Sequence, residues 1–368
     1  MTLRFNTHSE ARAAFEVDRP MHELNGIILH GAMAYVSEDV RRNIALAMDA
    51  AIPAMQTDPN SSVPAMLTTL IDPQVYEILF APNKAALILG EQKKGTWLDD
   101  TAMFPVVEHT GEVSSYGDRN NNGRAGANTN WPQRQQYLYQ TIVDYGEREL
   151  ERAGLAKINW VGELNKAAAT VLNKFSNLSY FFGVAGLQNY GLLNDPGLPA
   201  AITPATKAQG GVTWFVNGAT NASANEVYND IVSLFADLVG RNQGLVDKDA
   251  RMVLAMSPES SVALTFTNSF NVNVEDLLKK NFKNLRIETA PQYGEKTTEN
   301  PQGVTGGNFV QLIAEEVEGQ QTGYCSFGEK LRSHPIIRQL SSFQQKMSGG
   351  TWGAIIRYQA GFAQMIGV

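Results

Sequence analysis

The clearest hydrophobic pattern along the chain lies in "NWVGELNKAAATVLNKFSNLSYFFG", where Trp160, Leu164, Ala168, Val171, Phe175, Leu178 and Phe182 recur at helical spacing. Asn159 stands where an N-cap belongs and Gly183 where a helix stops, so the spacing predicts a rod about 35 Å long. One apolar stripe is complete, which predicts a helix lying on a sheet rather than one crossing a core centre. Ahead of it, Tyr137, Tyr139, Thr141, Val143 and Tyr145 alternate with Leu138, Gln140, Ile142 and Asp144. That period of two predicts a strand. "FPVVEHTGEVSSY" reads as its partner limb, and "YGDRNNNGRAGANTNWPQRQQ" between them as a polar tip. A lone two-stranded ribbon is marginal in water, so a flap this long is expected to lie on another molecule.

From Val184 to about Lys330 the pattern alternates between short strands and helices. "NEVYNDIVSLFADLVG" is amphipathic, with Val227, Ile231, Leu234 and Leu238 on one face. "RMVLAMSP" predicts a buried strand entering a helix, with Ser257 as N-cap and Pro258 at its first position. "NVEDLLKKNF" carries acids early and lysines late, and "LRIETAPQY" and "NFVQLIAEEV" read as strands. This predicts a separate α/β lobe. The apolar run from Trp352 to Tyr358 must pair inside a sheet and is expected to return to the first lobe, beside the long helix. The second lobe is then an insertion. At the N-terminus a helical pattern begins at Ser37 and ends before Pro53 and Pro59, in a stretch that reads as an arm laid over other surfaces.

Composition narrows the function. The 368 residues are 43% hydrophobic and carry a net charge of −7, which argues against a dedicated nucleic-acid binder. One cysteine, Cys325, excludes an internal disulfide and reads as a buried small side chain. The N-terminus lacks the apolar core of a secretory signal and no run approaches the roughly 18 apolar residues of a membrane span, so synthesis and folding in a reducing cytoplasm is the expectation.

Signatures of catalysis are missing: no phosphate loop, dinucleotide fingerprint, nucleophile elbow or paired zinc histidines. His8, His22, His30, His109 and His334 have no ligand at helical spacing, and Glu108 and His109 point to opposite faces of a strand. No catalytic, cofactor-binding or metal-binding residue is expected. Arg119, Arg124 and Arg134 in the tip could serve solubility alone. Their company shifts the reading, because Tyr116, Trp131, Tyr137 and Tyr139 join them, and Tyr, Trp and Arg are enriched at interface hot spots. These seven are the candidate inter-subunit contacts.

"QQYLYQTIVDYGERELERAGLAKINW", "YFFGVAGLQNYGLLNDPGLPAAITP" and "GGTWGAIIRYQAGFAQMIGV" resemble the major capsid proteins of tailed bacteriophages, from about residue 70 onward. The resemblance implies an α+β fold of the Hong Kong ninety-seven type. It places an N-terminal arm at 1–75, a first part of the P domain at 76–110 and an E-loop hairpin at 111–146. A spine helix follows at 147–185, an inserted A domain at 186–330 and returning P-domain strands at 331–368. It further implies a shell of hexamers and pentamers in the virion, made in the bacterial host cytoplasm. The implied partners are further copies of the chain, a portal, scaffolding or decoration proteins, and packaged DNA touched without specificity; no membrane is involved. One member of that family welds its subunits through an E-loop lysine. No lysine occurs here between Lys94 and Lys157, so no such crosslink is expected. An encapsulin-like compartment within the same fold, and an α/β enzyme or carbohydrate-binding protein outside it, are the competing readings.

Overall fold

The computed structural model describes residues 83–119, 121–155, 159–216 and 218–368. The helical pattern after Ser37 and the arm expected over 1–75 lie outside the described residues. The described chain starts with α1 (Ala85–Leu89) and β1 (Glu91–Lys93), then β2 (Thr101–Met103), β3 (Val106–Gly111), β4 (Ala125–Asn130), β5 (Gln133–Gln135) and β6 (Tyr137–Gly146). Two helices follow, α2 (Glu147–Leu155) and the long α3 (Trp160–Phe182). The second stretch holds β7 (Phe215–Val216), β8 (Ala219–Thr220), α4 (Ala224–Asn242), β9 (Met252–Met256), α5 (Pro258–Val262), α6 (Val274–Asn281), β10 (Leu285–Thr289) and β11 (Phe309–Ala314). The chain closes with β12 (Glu316–Val317), β13 (Gln320–Gln321), β14 (Gly323–Ser333), β15 (Ile337–Arg338), β16 (Ser342–Ile356) and β17 (Phe362–Ile366).

Local chemistry explains the helix ends. Asn159 accepts from the Gly162 amide at the start of α3, Ser257 from Ser260 at α5 and Asn273 from Asp276 at α6. Ser223 and Glu226 satisfy each other's amides in a capping box at α4. Gly183 ends α3 at φ +64°, where a β-carbon would sit 2.2 Å from the Asn189 carbonyl.

In the first sheet the order is β1-β14-β16-β15, with β6 also on β16. β1 runs parallel to β14 and the other pairs are antiparallel. β16, which contains Trp352 to Ile356, is central and packs beside α3, as the terminal apolar run predicts. The inward set of β6, Tyr139, Val143 and Tyr145, meets Ala168, Leu172 and Phe175 of α3 and Met347 of β16. The helix departs from the single-stripe expectation in its last turns, where Ser176 to Phe181 are all buried. The end of the rod enters the core between the lobes, where Ser179 Oγ lies 2.9 Å from Thr351 Oγ1 and Asn177 Oδ1 accepts from the Ala85 amide across 3.1 Å.

The second sheet has the order β10-β9-β11-β17. α4 lays Val227, Ile231, Leu234 and Leu238 against it, and every residue of β9 and β11 is buried. Phe181, Tyr293, Phe309, Cys325 and Phe362 join the two lobes in one core. β17 corrects the expectation that residues 331–368 all belong to the first lobe, because it pairs with β11 of the second. β14 corrects the other boundary: it lies in the first sheet, paired with β1 and β16. An apolar strand needs a paired edge, but its sequence does not say which sheet supplies one.

Candidate assembly surface

The expected long hairpin is built differently. β3 pairs with β4, from Val106 opposite Asn130 to Gly111 opposite Ala125. Both strands lie outside the "QQYLYQTIVDY" limb, which as β6 pairs with β16 from Tyr137 opposite Thr351 to Gly146 opposite Ser342. The reason is burial. The aromatic set of β6 needs cover, and α3 with β16 supplies it, whereas "FPVVEHTGEVSSY" has no comparable apolar face.

Every described residue from Pro105 to Gln133 is exposed, on both strands and both faces of the β3–β4 ribbon. Val113 is 102% exposed, Tyr116 94% and Trp131 55%. Below the ribbon, β2 and β5 pair as its root. Phe104 plugs this root into a cluster of Tyr324, Trp352 and Ile355. The Phe104 amide donates to the Pro132 carbonyl, Gln135 to Gln188, and Gln136 to Asp100. Asn189 donates from Nδ2 to the carbonyls of Gln135 and Thr351, which ties the root to the loop after α3 and to β16. A rigid root therefore carries a solvated arm.

The seven candidate residues divide. Tyr116, Arg119, Arg124 and Trp131 are on the exposed ribbon; the Tyr116 hydroxyl donates to Asp118 across 3.0 Å. Three others lie within the subunit, and their placement corrects their reading as ribbon contacts. Arg134 forms an ion pair of 2.7 Å with Asp195 and stacks over Tyr190 at 4.8 Å. Tyr137 and Tyr139 lie against Phe175, with ring centroids 5.7 and 4.5 Å away. Burial pushes the Tyr139 hydroxyl up to about 12. Sequence reasoning missed Asp195, which carries no local signal, and Leu138 and Ile142, which form the exposed outer face of β6. The alternation that marked β6 contained both.

Chemistry elsewhere is sparse. Among the described residues no group of three His, Cys, Asp or Glu side chains could hold a metal ion. His109 is exposed on β3, and His334 Nε2 lies 2.9 Å from Ser348 Oγ. Cys325 is fully buried, and desolvation raises its thiol well above the usual range. Among the described residues no helix is long and apolar enough to cross a membrane.

Comparison with curated proteins finds no match. Among solved structures the chain is similar to the capsid of Myoviridae phage XM1, with TM-score 0.66 and 14% identity over 84% of this chain and 100% of that one. It is also similar to the capsid of the native GTA particle, with TM-score 0.53 and 11% identity over 86% and 97% of the two chains. A chain of Gordonia phage Cozz matches at TM-score 0.51 and 10% identity, over 84% and 98%. At such identities these likenesses establish the fold, which is the Hong Kong ninety-seven type. The family model of the Pa193 gp26 major capsid protein matches residues 54–367, so nearly the whole sequence, ribbon and both sheets included, belongs to that family of major capsid proteins.

Proposed function

We propose that this capsid subunit closes into hexamers and pentamers that tile the icosahedral head of a tailed phage, enclosing its double-stranded DNA. The observation carrying this reading is the ribbon from Pro105 to Gln133, exposed throughout yet held on a root packed into the core. Two strands alone are marginal in water, and a neighbouring subunit would clothe them. Head-to-tail contacts of identical subunits close into rings. The subunit acts as a structural part of the virion rather than as an enzyme. A portal, scaffolding or decoration proteins and packaged DNA on the inner face complete its partners. Synthesis takes place in the bacterial host cytoplasm, and the acidic balance keeps unassembled subunits apart and off the DNA.

The pairing pattern supports a revised assignment of the parts. The E-loop runs from Thr101 to Gln135, and the P domain is α3 with the first sheet. The A domain is the second sheet with α4 to α6, including β17. Negative-stain microscopy and sedimentation of the purified protein, alone and with any co-encoded scaffold, test the proposal. Closed particles are expected, and a protein that stays monomeric in every condition overturns it.

A further inference from the structure

Asn122 and Gly123 stand at the tip of the ribbon, between β3 and β4, where every described neighbour along the chain is exposed. Among the described residues Asn122 is the one asparagine followed by glycine; Asn25 and Asn217, also followed by glycine, lie outside them. Gly123 takes φ +87°, and a β-carbon there would stand 3.2 Å from Ser114 Oγ. The turn thus selects glycine, and glycine leaves its own amide nitrogen unshielded. Ser114 Oγ donates to the Asn122 carbonyl across 2.8 Å, and among the described residues no acceptor takes the Gly123 amide.

We propose that Asn122 is a site of spontaneous deamidation, closing on the Gly123 nitrogen so that the ribbon tip exchanges an amide for a carboxylate. The Gly123 nitrogen gives up its proton, and its electron pair forms a bond to Asn122 Cγ. The Cγ–Nδ2 bond breaks, and Nδ2 leaves as ammonia with that proton. Water then opens the cyclic imide, giving aspartate by attack at Cγ or isoaspartate by attack at the backbone carbonyl. One water enters and one ammonia leaves, and no other reagent is needed. Loss of the amide proton spreads negative charge onto the Asn122 carbonyl oxygen, where the Ser114 hydroxyl stabilises it. Asn268, followed by Ser269, is the contrasting case. Its Oδ1 accepts from the Phe270 and Val272 amides at 2.9 and 3.1 Å, two bonds that ring closure must break. The modification stands apart from the shell-forming reading, although its carboxylate falls on the segment that reading lays on a neighbour.

Timed incubation of the full-length subunit at neutral and mildly alkaline pH, followed by mass spectrometry of tryptic peptides, tests the site. Cleavage after Arg119 and Arg124 releases residues 120–124, and digestion in heavy-oxygen water marks any conversion made after the incubation. Asn122 is expected to gain the mass of O less that of NH, at a rate that rises with hydroxide. It should convert at least about tenfold faster than Asn268, which must give up two hydrogen bonds. Equal rates at the two, or conversion at Asn120 or Asn121 instead, overturn the assignment. Asn122→Gln should hold the mass of residues 120–124 constant, and a gain that persists there overturns it as well. Ser114→Ala is expected to slow conversion about fivefold, with Ser114→Thr restoring it. An unchanged or faster rate in Ser114→Ala overturns the part given to Ser114.

Discussion

The Arg134 guanidinium donates to the Asp195 carboxylate across 2.7 Å, and only 2% of the Asp195 side chain is exposed. The second Asp195 oxygen accepts from the Gly197 amide, so the carboxylate depends on both partners. This pair spans 61 residues and joins the root of the ribbon to the loop that leaves α3.

Arg134→Ala leaves that buried carboxylate without its counter-charge and removes the stacking on Tyr190. The expected cost is about 3 kcal/mol of subunit stability, read as a lower denaturant midpoint. Cleavage within the ribbon by a trace protease should also accelerate, because its root is loosened. An unchanged midpoint and cleavage rate would show that the pair is not what holds the root.

Tyrosines of similar sequence context should behave oppositely. Tyr139→Ala empties a site packed on Phe175 and should cost about 3 kcal/mol or more of subunit stability. Tyr116→Ala, at 94% exposure, should change subunit stability by less than about 0.5 kcal/mol and lower only the yield of particles. Thermal melts of the subunit beside particle counts by microscopy separate the two roles. Equal effects on stability would contradict the division of the candidate residues.

Gly183 ends the long helix at φ +64°, and a β-carbon there would stand 2.2 Å from the Asn189 carbonyl and 2.8 Å from Tyr190 Cα. Gly183→Ala therefore combines left-handed backbone strain with a backbone clash that no side-chain rotation relieves. A loss of at least about 2 kcal/mol is expected, visible as a lower melting temperature or as insoluble protein. A wild-type melt would mean that the joint between helix and loop can shift without cost.

Alkali should unfold the subunit through its buried phenols. Burial raises the Tyr139 hydroxyl from its ordinary 10 to about 12 and also raises Tyr180 and Tyr293. Below pH 10 both folded and unfolded chains keep these protons, so these rings add no pH dependence. Above it the unfolded chain releases protons that the folded one retains, and stability falls as pH rises. Tyrosinate absorbance from these rings should appear together with loss of circular dichroism. Ionisation near pH 10 in a chain that stays folded would contradict their burial.

Much of the architecture is legible in short windows. The span of α3, its Asn159 cap and its Gly183 stop follow from helical period and end chemistry, as do α4, α6 and the passage from β9 into α5. The wet tip is legible as well, since nothing in "NNNGRAGANTN" can form a core. What was not legible is which aromatic residues serve the core and which the surface. Tyr116 and Tyr139 are the same residue type in neighbouring text, and only the position of Phe175 distinguishes them. Asp195 was invisible as the partner of Arg134 for the same reason.

The amino-acid order alone determined where α3, α4, α6, β6 and β9 form, because period, caps and breakers act between residues a few positions apart, whereas β4 and β5 lie inside the stretch that reads as a polar tip. It also determined that a solvated segment interrupts the first lobe. Tertiary structure alone decided that β6 joins β16, that β17 crosses to the second sheet and that the ribbon closes on β3 and β4. Strand partners are chosen by competition among distant apolar faces for cover, and no single stretch of chain carries the result.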